Sequence, residues 1–281
     1  MKKIICLAAL TLMLLAVCTA ALASTATFVA DGETIATVEF EDDSRITPPD
    51  APEKENAVFA GWTFEDGSEY KESKKLTGDQ TITARYLTVY TFEAENTQLT
   101  DLPEEDLTAD FGNKIGYGYS NNVGGLQLIQ AEGDSGCNAS NGYYISSLYY
   151  NGAYLEFVIN SDRAVEDAQL TLRLSSEYYD MTISCSMFTV SVNGEALKFD
   201  DLDLTGAITD MSSLLKRPFT DYTVSREVRL NEGENVIRLE VTNSTKLGTT
   251  GTMNATAPMI DCIYVATDAE LTWSPFANGL N

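Results

Sequence analysis

Between residues 169 and 174 the chain reads Gln-Leu-Thr-Leu-Arg-Leu, an alternation that turns every apolar side chain to one face of an extended strand. The same two-residue period recurs in Phe188-Thr189-Val190-Ser191-Val192 and in Val236-Ile237-Arg238-Leu239-Glu240-Val241. Turn signals separate these runs, with Asn193-Gly194 after one and Asn231-Glu232-Gly233-Glu234-Asn235 before another. A pattern of half-buried antiparallel strands predicts a sandwich or jelly roll over residues 88–268. Helical spacing is confined to Ile208, Met211, Leu214 and Leu215, which predict a turn or two of helix over residues 208–216. Residues 25–87 also read as short strands. Phe28-Val29 leads into the Asp31-Gly32 hairpin turn, Ile35 to Phe40 alternates, and prolines 48, 49 and 52 mark a connection. Val58 to Trp62 and Thr81 to Tyr86 complete the set. The chain is therefore predicted to be all-β, a small module followed by a larger antiparallel β-sandwich.

The start of the chain departs from this pattern. Met1-Lys2-Lys3, the apolar run from Ile4 to Val17 and Ala21-Leu22-Ala23 read as a secretory signal peptide over residues 1–23. The run is shorter than the roughly 20 apolar residues that a membrane-spanning helix needs. Leu15-Ala16-Val17-Cys18 offers a lipid-anchored surface form as a minor alternative, with Val17 where a lipobox has a small residue. Removal of residues 1–23 leaves 258 residues, enough for two domains, and 16 basic against 42 acidic side chains, a net charge of −26. Such a charge opposes nucleic acid and anionic lipid and accommodates calcium and neutral partners. With no histidine in the chain, Ser-His-Asp and Cys-His catalysis and His-ligated zinc are excluded. Cys137, Cys185 and Cys262 remain after cleavage. They allow either one intrachain disulfide, with the pair left open, or three buried free thiols. Sequons at Asn138, Asn243 and Asn254 matter only in a eukaryotic secretory pathway.

The small module resembles the internalin-type B-repeat, or Listeria-Bacteroides repeat. The resemblance rests on the F-x-A-D-G hairpin, the P-x-x-P connection, F-A-G-W at Phe59 to Trp62 and the closing T-x-T-A-x-Y. It implies a β-grasp-like spacer or adhesion unit over residues 25–87. Trp62 and Phe59 are candidate ligand-contacting aromatics, but a module this small is expected to use them as its core.

The larger unit resembles the family 6 and family 35 carbohydrate-binding modules of the galactose-binding-like superfamily. The motifs fall in order: Phe92-Glu93-Ala94-Glu95, Asn141-Gly142-Tyr143-Tyr144, Leu172-Arg173-Leu174, Val190 to Gly194, Leu230 to Ile237 and Ile260-Asp261-Cys262-Ile263-Tyr264-Val265. The resemblance implies that the first and last strands lie side by side, so that Glu93, Glu95 and Asp261 ligate a structural Ca2+. Carboxylates two apart on a strand share a face, and calcium takes several oxygen ligands. It also implies a glycan ligand such as a cell-wall or plant polysaccharide, held by aromatic faces and amides. The candidates are Tyr117, Tyr119, Tyr149, Tyr150, Tyr178, Tyr179 and Asn254. Where the family has an asparagine two residues before the closing aspartate, this chain has Met259. No stretch is left for a catalytic domain, so the expected function is non-catalytic glycan binding outside a bacterial cell. A protein partner at the cell surface is the alternative, and a glycan-active enzyme ranks last. The tail, residues 269–281, has no sortase-type motif, and Trp273 and Phe276 are expected to pack back onto a module.

Overall fold

The computed structural model describes residues 23–97, 109–110, 114–116, 127–130, 138–146, 148, 152, 154–176, 180–204, 219–243 and 258–276. The predicted helix at 208–216, Cys137 and the proposed signal sequence through residue 22 lie outside them. Among the described residues the regular structure is strand with two short 3-10 turns, and no helix is long and apolar enough to cross a membrane. The chain is all-β. It divides into two compact units. One joins the described residues up to Pro52 with Ala60–Arg85, and the other joins Glu53–Phe59 with the described residues from Tyr86 onward.

The first unit is built on β1 (Ser24–Ala30), β2 (Glu33–Phe40), β3 (Ala57–Phe64), β4 (Glu69–Tyr70) and the first part of β5 (Gln80–Glu93). β1 turns through Asp31 and Gly32, both at positive φ, into antiparallel β2. Two consecutive residues in that region match the twist of the flanking strands, which explains the Asp-Gly pair. β1 also pairs in parallel with β5 from Ala26↔Gln80 to Val29↔Thr83, a β-grasp-like arrangement. Every second residue of β1 faces inward, and Phe28 meets the Trp62 ring edge-on at 5.0 Å and Tyr70 at 6.2 Å. The Tyr70 hydroxyl is satisfied by the Ile46 carbonyl at 2.6 Å. Trp62 is core, as expected. Phe59 is not: it points outward and belongs to the second unit, because the odd positions of β3 around it alternate away from Trp62 and Phe64.

The second unit is an antiparallel sandwich. After β5 come β6 (Ala109–Asp110), β7 (Lys114–Gly116), β8 (Gln127–Gln130), β9 (Tyr143–Ser146), β10 (Tyr154–Ser161) and β11 (Val165–Ser176). β12 (Met181–Ile183), β13 (Phe188–Val192), β14 (Glu195–Ala196), β15 (Leu202–Leu204), β16 (Thr220–Leu230), β17 (Gly233–Val241), β18 (Pro258–Thr267) and β19 (Leu271–Trp273) follow. In one sheet β18 lies between β5 and β11, and β11 continues to β16. The facing sheet runs β14-β13-β17-β10-β19. Leu170, Leu172, Ile263 and Val265 of the first sheet pack with Leu155, Phe157, Val190, Ile237 and Leu239 of the second, all without solvent exposure. The alternation in the sequence places these residues on one face of each strand. β19 adds part of the 269–281 tail to the sandwich: Trp273 meets Phe92 edge-on at 5.4 Å, and the Phe276 N–H donates to the Asn96 carbonyl at 2.8 Å.

Candidate functional site

β5, which opens the sandwich, and β18, its last long strand, lie side by side, with Glu93 opposite Cys262. Across from β18, Arg173 of β11 faces Cys262 while the next residue, Leu174, faces Ile260. Asp261 is thus the extra residue of a β-bulge, and the bulge re-aims its carboxylate toward the neighbourhood of Glu93. The oxygens of Glu93 and Asp261 and the Cys262 sulfur lie within 4.8 Å of one another. Glu95 does not extend the strand as its spacing predicts. The chain bends after Glu93 into a 3-10 turn, Ala94–Asn96, that buries Ala94 and is closed by the Thr97 hydroxyl donating to the Ala94 carbonyl at 2.7 Å.

A second turn, Ser140–Gly142, brings the three acids together. The Ser140 N–H donates to both Asp261 oxygens at 2.9 and 3.0 Å. Its Oγ lies 2.7 Å from Glu93 Oε2 and 3.0 Å from Asp261 Oδ1, so one hydroxyl proton sits between two carboxylates. The Asn141 amide donates to Glu95 Oε1 at 2.9 Å. Asn141 and Gly142 take φ of 50° and 77°, a region where asparagine and glycine are the tolerated residues. From the other side Arg173 Nε donates to Asp261 Oδ2 at 2.8 Å, and its terminal nitrogens reach Asp221 and the Asn138 carbonyl, both at 2.8 Å.

Charge compensation in this cluster is incomplete. Arg173 is shared between Asp261 and Asp221, while Glu93 and Glu95 also press on the same volume. Burial, followed by the neighbouring carboxylates, lifts the Glu93 carboxyl to about 7 against the hydrogen bond from Ser140. Burial likewise raises Glu95 and Asp261, and it pushes the Cys262 thiol up to about 12. The carboxylate oxygens and the Ser140 hydroxyl oxygen are hard donors of the kind a calcium ion takes, and a divalent charge would relieve the repulsion. The residues fit the ion.

Of the sequence-derived candidates, Glu93 and Asp261 converge within 4.8 Å, and Glu95 is tied to the same turn through Asn141. Tyr117, Tyr119, Tyr149, Tyr150, Tyr178, Tyr179 and Asn254 lie outside the described residues. Met259 packs in a buried cluster with Tyr144 and Phe219, so that position presents an apolar side chain to the core. Ser140, Asn141 and Arg173 are site residues that motif reading passed over as signposts. The Asn-Gly pair before Tyr143 and the single basic residue inside the Leu-Arg-Leu strand were the available signals. Cys185 and Cys262 are free thiols; Cys262 is buried, whereas Cys185 is only half-buried and departs from the reading of buried thiols.

Among solved structures, this chain is similar to the Podospora anserina GH26-CBM35 β-(1,4)-mannanase, with 16% identity over 66% of this chain and 29% of that one and a TM-score of 0.37. It is also similar to a native family 35 carbohydrate binding module from Clostridium thermocellum, at 15% identity over 64% of this chain and 98% of that one, TM-score 0.34. A family 35 module from an environmental isolate shares 13% identity over 66% of this chain and 98% of that one, TM-score 0.38. No curated protein matches the chain. Residues 25–85 match the family model of the Listeria-Bacteroides repeat domain.

Proposed function

We propose that this chain is a secreted, non-catalytic carbohydrate-binding protein whose sandwich is held by a structural calcium ion at Glu93, Glu95 and Asp261. The observation that carries the reading is the meeting of these three acids on the Ser140–Gly142 turn, since they come from opposite ends of the sandwich sequence and are the residues its motifs single out. Glu95 and Asp261 have no solvent exposure, which suits a structural ion and keeps them from the reach of a substrate. Glycan contact is assigned to the tyrosines and Asn254 of the connecting segments, and secretion to residues 1–23.

A glycan array probed with and without chelator tests the proposal. The expected result is a calcium-dependent glycan signal together with a melting temperature that falls on chelation. No glycan signal in calcium would sink the carbohydrate reading, and an unchanged melting temperature would sink the ion. The repeat match over residues 25–85 favours a second reading, adhesion to a protein partner at the cell surface, which a glycan-negative array with protein capture would select.

A further inference from the structure

The first unit carries two clefts, of about 540 and 360 Å³, that share Glu65 and Gln80 and so join into one groove. Every described residue that lines it belongs to that unit. One bank is the turn between β3 and β4. There the Phe64 N–H donates to the Ser68 carbonyl at 2.8 Å, the Gly67 N–H to the Phe64 carbonyl at 2.9 Å, and the Ser68 N–H to Asp66 Oδ1 at 2.9 Å. The other bank, residues 74–80, is tied to the segment after β2. The Leu76 N–H donates to the Ser44 carbonyl at 2.8 Å and the Gly78 N–H to Asp42 Oδ1 at 2.9 Å, while the Gln80 amide reaches the Thr77 carbonyl at 2.8 Å. Both banks are fixed before anything binds, which lowers the entropic cost of docking.

The smaller cleft continues over the outward face of β1 and β5. Thr25 and Thr27 alternate with the buried Ala26 and Phe28, and Thr81 stands opposite Thr27 in the parallel register. Asp79 is anchored beside them, with its Oδ1 accepting the Thr25 N–H at 2.8 Å.

The charge in the groove has a direction. Its acids are Glu65, Asp66 and Asp79, and its bases are Lys74 and Lys75. Lys75 is held by Asp43 at 2.7 Å, and the Lys74 ammonium lies 3.9 Å from the centre of the Phe64 ring, so both cations are already engaged. The smaller cleft is lined by the carboxylates of Glu65 and Asp79, the hydroxyls of Thr25, Thr27 and Thr81 and the Gln80 amide, with no cation among the described residues. Such a lining suits a lysine or arginine side chain, since the carboxylates take its charge while hydroxyls and amide bond the main chain beside it. We propose that this groove docks an extended basic segment of a protein partner, with a lysine or arginine seated between Glu65 and Asp79 and the segment's main chain over the threonines of β1 and β5. The inference deepens the second reading of the function, adhesion to a protein, and rests on it for the class of partner.

The test is fluorescence anisotropy of a labelled peptide of alternating threonine and lysine, and of its threonine–glutamate counterpart, titrated with the full chain. The lysine peptide is expected to bind and the glutamate peptide to stay free. Glu65→Lys and Asp79→Asn should each weaken binding roughly tenfold, whereas Glu195→Lys, an exposed charge change in the second unit, should alter it less than about twofold. Unchanged melting temperatures in the three variants separate lost docking from lost fold. Equal weakening by Glu65→Lys and Glu195→Lys identifies diffuse attraction to the acidic surface and overturns the groove. Full affinity in Glu65→Lys and Asp79→Asn, or binding of the glutamate peptide, overturns it as well. If neither peptide binds, the groove is overturned, and a protein captured alike by the parent and both groove variants leaves adhesion standing. A parent chain that captures no protein at all loses the adhesion reading too.

Discussion

Phe28 in the first unit and Leu172 in the sandwich are both fully buried on strands with a neighbour on each side, but what surrounds them differs. Around Phe28 the partners are rings: Trp62, Tyr70 and, beyond them, Phe64. Around Leu172 the cluster is mostly aliphatic and drawn from two sheets, and the other face of its strand carries Thr171 and Arg173 toward polar neighbours. A unit of some 60 residues has little interior, so large rings must supply most of its buried area. The sandwich buries enough Leu, Ile and Val to tolerate a cluster of acids on its outer face. The rings of the first unit serve its stability, whereas in the sandwich stability and chemistry occupy opposite faces of the same strands.

Substitutions on each side sharpen that contrast. The largest effect is expected from Phe28→Ala, which should cost about 3–5 kcal/mol, the usual range for a buried phenylalanine. The chain has two tryptophans, so Trp62 fluorescence in a Trp273→Phe background reads the first unit directly. An intact Trp62 signal at the parent's melting temperature would refute the ring-based core. Next, Arg173→Met leaves Asp261 buried without its cation, for an expected loss of about 3 kcal/mol in chelator and less in calcium. Equal losses in the two conditions would show that no ion offsets the missing charge.

A pH titration in chelator should show a smaller change, with a definite sign. Below about pH 4.5 the Glu93 carboxyl is protonated in both the folded and the unfolded chain. Above it the unfolded chain ionises freely, while the folded chain holds the proton up to about pH 7 because burial, and after it Glu95 and Asp261, oppose the charge and Ser140 and Arg173 only partly offset them. Melting temperature should therefore fall between pH 4.5 and 7 in chelator, and Glu93→Gln should flatten the fall. A rise over that range would contradict the crowded-carboxylate picture. The smallest effect, about 1 kcal/mol, is expected from Asn141→Gly, which keeps the positive φ of the turn and removes one hydrogen bond to Glu95. Urea unfolding measures it, and a loss above 3 kcal/mol would mean that the turn does more than hold Glu95.

Strand content was readable because a period of two in Leu170, Leu172 and Leu174 leaves little freedom about which face is buried. The Asp31-Gly32 turn was equally readable, since the backbone there demands positive φ. Phe59 was misjudged because sequence spacing alone does not say which unit a strand end joins. Glu95 was placed on a strand because two-residue spacing implies a shared face, whereas burial of Ala94 bends the chain at that point.

By itself the sequence determined the all-β class, the exclusion of histidine chemistry, the acidic surface and the identity of the three acids that meet. The first three follow from composition and from periodicities of a few residues; the acids follow from the motifs by which the sandwich resembles the carbohydrate-binding modules. Only the tertiary structure decided how those acids meet: the bulge at Asp261, the Ser140 and Asn141 contacts and the reach of Arg173 join residues separated by between 46 and 121 positions.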